Sequence, residues 1–212
     1  MCPVMIMGHQ LHGPPTRPPF SLHVLRSDGR ELVLSLPGNS EEVRLRTDAL
    51  DEGTLQYNIR AQSSEPTADT ICNYVCRGDF NSAQALAGWV RAESEEYLLH
   101  KWKDPYAAAV GAYLLLRLKE FDRLRDWPRN LANGIPFLAD GCVLWASQLA
   151  EEDPTQADQI RDYLLQGAQR GFPVNTAGLR LLIDGLTLLD HEGCEALQAL
   201  RSRAGQVIWS LR

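Results

Sequence analysis

The sequence lacks a long hydrophobic run, an excess of basic residues and any complete catalytic motif, and each absence excludes a class of protein. No apolar stretch approaches the roughly 18 residues that a membrane span needs, so a membrane protein is not predicted. Lysine and arginine number 21 against 27 aspartate and glutamate residues, giving a net charge of -6. Because nucleic-acid-binding domains usually carry a basic face, neither nucleic acid nor an anionic membrane is expected as a partner.

The cysteines also lack a pattern, because five of them are scattered along the chain without a repeated spacing. An odd, irregular set is typical of reduced thiols in a cytoplasmic protein. Cys72 and Cys76 are four residues apart, but a structural zinc site needs about four ligands, so no metal is expected. The N-terminus has no basic segment before its apolar run and no small-residue cleavage site, so we predict no signal peptide and a cytoplasmic location.

The sequence contains no phosphate-binding, dinucleotide-binding, nucleophile-elbow or zinc-protease motif. One enzyme hypothesis nevertheless remains open. Cys76, followed by Arg-Gly, matches the end of the nucleophile signature of caspase-like proteases. His23 lies about 50 residues upstream, the separation expected of the catalytic histidine. His12, which is followed by glycine, is the other candidate base. The alternative function is therefore a small cysteine hydrolase that uses Cys76 with His23 or His12; no cofactor is expected.

The chain divides by periodicity into four parts. Residues 1–19 form a proline-rich leader, and apolar residues then alternate with period two through residues 20–62, interrupted by an Asp-Gly turn. Residues 63–79 read as a linker, and residues 80–212 carry the apolar period of helices. These patterns predict an α+β fold, in which a small antiparallel β domain precedes an α-helical domain of antiparallel helix hairpins.

The helical part begins most clearly at Asp104, a preferred N-cap residue, followed by Pro105 at the first helical position. The next residues are apolar all round, so this helix should be covered on more than one side. Further helices are predicted at 121–133, 138–151, 156–169, 175–189 and 192–203. Gly111, Gly141 and Gly178 recur at a spacing close to the roughly 34-residue tetratricopeptide unit, and we predict that they permit close helix contacts.

Aromatic residues of the helical part are the candidate binding residues. All five tryptophans lie there, and their helical spacing predicts that four belong to the core. Truncation of a few aromatic anchors usually costs most of the affinity at a protein interface, so one or two of the binding candidates are expected to be partly exposed. These candidates are Trp102, Trp127, Trp145 and Tyr163.

Two resemblances indicate a function. Residues 104–203, with Tyr113, the glycines, Pro136 and Pro173, resemble a divergent tetratricopeptide-type helical repeat, a family that binds peptides or proteins. The stretch "KWKDPYAAAVGAYLLLRL" and the following "DWPRNLA" are similar to segments that accompany caspase-like or subtilisin-like proteases in bacterial conflict systems. The resemblance implies a non-enzymatic adaptor or regulatory module in antiviral defence, with another protein as its partner, such as a bacterial protease that it regulates or that uses it as a substrate.

Overall fold

The structure, a computed structural model, describes residues 67–68, 70–72, 87–189 and 195–204, together with the backbone of five strands nearer the N-terminus. Side chains are described only from residue 67 onward. Two hydrophobic clusters form the core of this region, and both consist of helical residues and the loops between helices. No helix in the described region has the length and apolarity to cross a membrane.

The strands form two separate antiparallel sheets. One sheet has the order β1-β2-β3, with Phe20 opposite Leu36 and Leu25 opposite Glu31 across the β2–β3 pair. The other contains β4 and β5, whose pairing is irregular between Ser40 and Glu42. The strands are β1 (Met5–Ile6), β2 (Phe20–Leu25), β3 (Glu31–Leu36), β4 (Ser40–Ala49) and β5 (Leu55–Ser63).

The predicted α+β fold with a small β domain over residues 20–62 is wrong. Residues 67–68, 70–72, 87–189 and 195–204, which contain the described core, are 80% helical and contain no strand. The extended segments nearer the N-terminus fall into two separately hydrogen-bonded sheets. The physical reason is that period-two alternation determines which face of a strand is apolar, but not which strands pair or what they pack against.

The helices pack mainly on their neighbours in the chain, and α2 also packs on α5. This arrangement fits a helical-repeat domain. The helices are α1 (Ala87–Leu99), α2 (Pro105–Arg117), α3 (Phe121–Leu124), α4 (Trp127–Gly134), α5 (Ala139–Glu152), α6 (Ala157–Arg170), α7 (Thr176–Leu189) and α8 (Glu195–Ala204).

The predicted start of α2 is confirmed. The Asp104 carboxylate accepts hydrogen bonds from the backbone N–H groups of Tyr106, at 3.1 Å, and Ala107, at 3.0 Å. These bonds satisfy two of the N–H groups that the first turn of any helix leaves unpaired. Every residue from Pro105 to Leu115 is buried, as the all-round apolar sequence predicted.

The predicted single helix over residues 121–133 is instead two helices, α3 and α4. The helix ends at Arg125, because its φ of 46° lies in the left-handed region and cannot continue a right-handed helix. The side-chain amide of Gln148 donates a 2.9 Å hydrogen bond to the Arg125 carbonyl and so holds this break against α5. Pro128, near the start of α4, then favours a new helix.

The close contacts predicted at Gly111 and Gly141 are confirmed. A Cβ atom at Gly111 would lie 2.8 Å from the Ser94 carbonyl oxygen of α1, and one at Gly141 would lie 2.8 Å from the Ala132 nitrogen of α4. Each glycine therefore lets its helix approach the backbone of the helix before it. Gly178 differs, because its neighbours are the Tyr113 hydroxyl and a proline side chain.

Replacing Gly111 or Gly141 by leucine should lower the free energy of unfolding by about 1–3 kcal/mol through overpacking. The matched control is Gly88→Leu, since Gly88 lies in α1 with no atom within 4 Å of its added Cβ, and there removal of a helical glycine should stabilise slightly. Thermal melts of the three variants measure the difference. Unchanged melting temperatures for both Gly111→Leu and Gly141→Leu would contradict the packing described here.

Candidate protein-interaction site

The residues of the hydrolase hypothesis lie outside the part of the chain whose side chains are described. Cys76 and His12 are not among the described residues, and only the backbone of His23 is, in β2 opposite Val33. His100 is the one histidine with a described side chain, and it is exposed and bonded to Glu96 at 2.8 Å.

The two described cysteines are buried thiols. Cys72 donates a 3.3 Å hydrogen bond to the side-chain oxygen of Asn175. Burial raises the pKa of Cys142 to about 11, although the charge of Arg170 opposes the shift. Because the thiolate is the nucleophilic form, burial disfavours the reactive state of Cys142 at neutral pH. The described residues also contain no group of three or more metal-ligand side chains.

A buried carboxylate, Asp140 at the start of α5, joins three parts of the helical region. It accepts hydrogen bonds from the Tyr113 hydroxyl at 2.9 Å, from the Val174 N–H at 2.8 Å, and from both the backbone and side-chain nitrogens of Asn175 at 3.2 Å. Burial raises the pKa of Asp140, and these hydrogen bonds oppose that shift. Asp140 thus links α2, α5 and the start of α7, and its role is structural.

An exposed tryptophan and a partly buried one lie near the turn between α1 and α2. Trp102 is 54% exposed, whereas Trp127, the first residue of α4, is partly buried. The Lys101 ammonium lies 5.8 Å from the Trp102 ring centroid and 5.7 Å from that of Trp127. It also donates to the Leu98 carbonyl at 3.2 Å. Cation–π attraction therefore holds two indoles near one buried lysine.

Trp102 is placed on α4 by a glycine. A Cβ atom at Gly134 would collide with the six-membered ring of Trp102, so only glycine lets the indole lie this close to the helix. Gly134 is the last residue of α4 and Trp127 the first, seven residues earlier. Two residues separated by seven lie on one side of an α-helix, so Trp102 and Trp127 share an edge of α4.

A second aromatic pair lies along the opposite edge of α4. The rings of Trp145 in α5 and Tyr163 in α6 meet edge to face, with centroids 6.5 Å apart. The Arg129 guanidinium lies 5.9 Å from the Trp145 centroid, and the Tyr163 hydroxyl donates to the side-chain oxygen of Asn133 at 3.3 Å. Arg129 and Asn133 are four residues apart, so they lie on the same side of α4.

We name this region the aromatic–cationic face. It is centred on α4, whose exposed surface separates the two aromatic groups, and Arg125, 5.7 Å from the Trp127 centroid, completes it at the N-terminal end. The face consists of Lys101, Trp102, Arg125, Trp127, Arg129, Trp145 and Tyr163.

The prediction that four tryptophans belong to the core is wrong. Trp89 and Trp102 are both more than half exposed, Trp145 is buried, and Trp209 lies outside the described residues. Helical spacing does not distinguish a buried indole from one that lies on a glycine at the surface. The cations of the face were not predicted from the sequence, although each lies within two residues of a tryptophan. Lys101 precedes Trp102 in "KWK", and Arg125 and Arg129 lie on either side of Trp127 in "RDWPR".

The fold and the face together define a class: a helical domain that presents aromatic and cationic side chains. Residues 70–210 match the model of the Y4kD C-terminal domain, and the chain belongs to that family. Over 93 residues, or 44% of the chain, it is 32% identical to a protein of a Desulfuromonadales bacterium named "Probable protease". The chain spans only 11% of that relative's length. No solved structure matches the chain.

Proposed function

We propose that the helical domain is a non-enzymatic interaction module that binds another protein through the aromatic–cationic face and thereby recruits or regulates a protease. The observation that carries the proposal is the exposed Trp102 indole, which lies on Gly134 beside Trp127. Tryptophan, tyrosine and arginine are the residues most enriched at energetically important interface positions, and this face contains all three.

The scaffold around the face supports the same proposal. The face lies on short α4, between helices that are anchored by the buried contacts of Asp140, Gly111 and Gly141. A rigid scaffold lowers the entropy that a binding surface loses on association. In our proposal the packed helices act as a tetratricopeptide-like scaffold, and stacked helices of that type generally present extended binding surfaces.

The proposed partner is a protease or a protein bound to one. The support is the relative named "Probable protease", in which the matched segment is a small part of a much longer protein. A short helical segment within such a protein suits a regulatory or recruiting role. We extend the proposal to a bacterial antiviral defence system, on the resemblance of residues 101–150 to segments that accompany such proteases.

Site-specific photo-crosslinking in the source organism tests the proposal. A photoreactive amino acid with an aromatic side chain, which keeps a ring at position 102, should crosslink the chain to a protease-bearing protein, which mass spectrometry would identify. The control is the same amino acid at Leu188, a 78% exposed residue of α7 that lies outside the face. Identical crosslinked products from positions 102 and 188 would reject the face as the binding site.

The alternative, a cysteine hydrolase that uses Cys76 with His23 or His12, is retained because a relative is named as a protease. Its test is reaction with a thiol probe under native conditions. The interaction module predicts that Cys76→Ala removes one labelled site of ordinary reactivity and changes no peptide turnover. Much faster labelling at Cys76 than at the other cysteines, together with peptide hydrolysis that Cys76→Ala abolishes, would favour the hydrolase.

A further inference from the structure

We propose that the aromatic–cationic face takes an acidic peptide segment of its protein partner, an inference that rests on the proposed function and specifies the chemistry of what binds there. The apolar side chains of such a segment would pack against Trp102 and Trp127, and its carboxylates would pair with Arg125 and Arg129, the exposed cations of the face. Ion pairing of the cations differs between this face and the rest of the described region.

Among the side chains that the structure describes, no carboxylate neutralises a cation of the face. Lys101, Arg125 and Arg129 each lie over an indole ring, and none forms an ion pair with a carboxylate among the described side chains. Elsewhere in the same region, cations do find carboxylates: Lys119 pairs with Glu151 at 2.7 Å and Arg123 with Glu95 at 2.9 Å. Among the described side chains, Arg125 and Arg129 are therefore exposed cations without a carboxylate partner, on a chain whose net charge is -6.

The nearest acidic residues in sequence do not change this conclusion. Asp122 and Asp126 flank Arg125 in the chain, yet the contact that Arg125 makes is to the Asp122 backbone carbonyl, at 3.4 Å. A neutral carbonyl leaves the guanidinium charge uncompensated. Arg125 and Arg129 are both exposed, so an anion in solvent can approach either of them while the ring remains on its other side.

A hydrogen-bond donor beneath the face also lacks an acceptor. The indole N–H of Trp145 is buried and has no hydrogen-bond partner among the described residues, and the Arg129 guanidinium lies over the same ring. An unpaired buried donor costs about 1–3 kcal/mol. A carboxylate or carbonyl drawn to Arg129, with a small movement of that exposed side chain, would supply the missing acceptor. This second observation favours an oxygen-rich segment over a purely apolar one.

A peptide suits the face better than a nucleic acid does. Three cations spaced between aromatic rings give few phosphate contacts, and the surrounding protein is acidic, which opposes a continuous polyanion. A peptide with alternating apolar and acidic side chains instead matches both the aromatic rings and the cations of the face. Electrostatic complementarity of this kind contributes mainly to partner selection and to the association rate.

Fluorescence anisotropy with a short labelled peptide tests the inference on the full chain. The probe is a glutamate-rich peptide that contains phenylalanine and leucine, and the control peptide carries lysine at every glutamate position. We expect the acidic peptide to bind at least about tenfold more tightly than the basic one, with affinity that falls as salt is added. A single-stranded oligonucleotide of equal charge serves as a third probe and should bind more weakly than the acidic peptide.

Two charge-reversal variants distinguish an effect of the face on peptide binding from an effect of the net charge of the chain. Arg129→Glu and Arg180→Glu change the net charge equally, but Arg180 lies exposed on α7 and contacts Asp184. Arg129→Glu should weaken binding of the acidic peptide about tenfold and improve binding of the lysine peptide, whereas Arg180→Glu should change either by less than about twofold. Arg129→Gln, which keeps a polar side chain of similar length, should give an intermediate loss, and thermal melts verify that each variant is folded.

Three results would overturn the inference: equal losses in the two reversals, no preference for the acidic peptide, or tighter binding of the oligonucleotide. Each is distinguishable from failure of the proposed function. If a partner still crosslinks at position 102 but not at 188, the face binds a protein whose segment is not acidic. If neither the peptides nor the crosslink detect binding, the interaction module itself is rejected.

Discussion

Replacement of Asp140 by alanine should lower the free energy of unfolding by about 3–5 kcal/mol, the largest loss that we expect from one substitution in the helical region. The carboxylate is fully buried and accepts four hydrogen bonds, from Tyr113, Val174 and Asn175. Its removal leaves four buried donors without an acceptor, and each unpaired buried donor is costly. Thermal or urea unfolding measures the loss.

The matched control is Asp162→Ala, a truncation of the same residue type at an exposed position of α6. Substitutions at exposed positions usually change the free energy of unfolding by no more than about 0.5 kcal/mol. Asp140→Asn should fall between the two, because an amide oxygen still accepts from Val174 or Asn175 but carries no charge and has only one oxygen. Equal stability of Asp140→Ala and Asp162→Ala would mean that Asp140 does not anchor the three segments.

The second large effect is expected on binding. Trp102→Ala should weaken affinity for the partner captured at position 102 by more than about 2 kcal/mol, or roughly thirtyfold. Trp102 is the most exposed aromatic side chain of the face, and its ring already packs against α4 at Gly134. A ring that is already packed on the protein loses less conformational entropy on binding than a free side chain, so more of its contact energy contributes to affinity.

Local rules predicted the helical part of this fold best. An aspartate before a proline located the start of α2, because capping and proline geometry act within a few residues. Gly111 and Gly141 were predicted to permit close contacts, since a helix tolerates the conformational cost of glycine mainly where packing needs it. Both inferences depend on the residue itself and on one neighbouring helix.

Non-local features were not predictable in the same way. Alternation over residues 20–62 suggested a β domain, but it carries no information on how strands associate. The break at Arg125 depends on a hydrogen bond from Gln148, 23 residues away, which no pattern within residues 121–133 contains. The exposure of Trp102 depends on Gly134 in another helix. Each of these features is decided by a contact between segments that lie far apart in the sequence.

The most direct test of an interaction through the aromatic–cationic face is a titration of the captured partner against three forms of the full chain: wild type, Trp102→Ala and Leu188→Ala. Both variants remove an exposed apolar side chain, but only Trp102 belongs to the face. We predict an affinity loss of roughly thirtyfold for Trp102→Ala and less than about twofold for Leu188→Ala. Equal affinities for all three forms, with all three folded, would contradict the account.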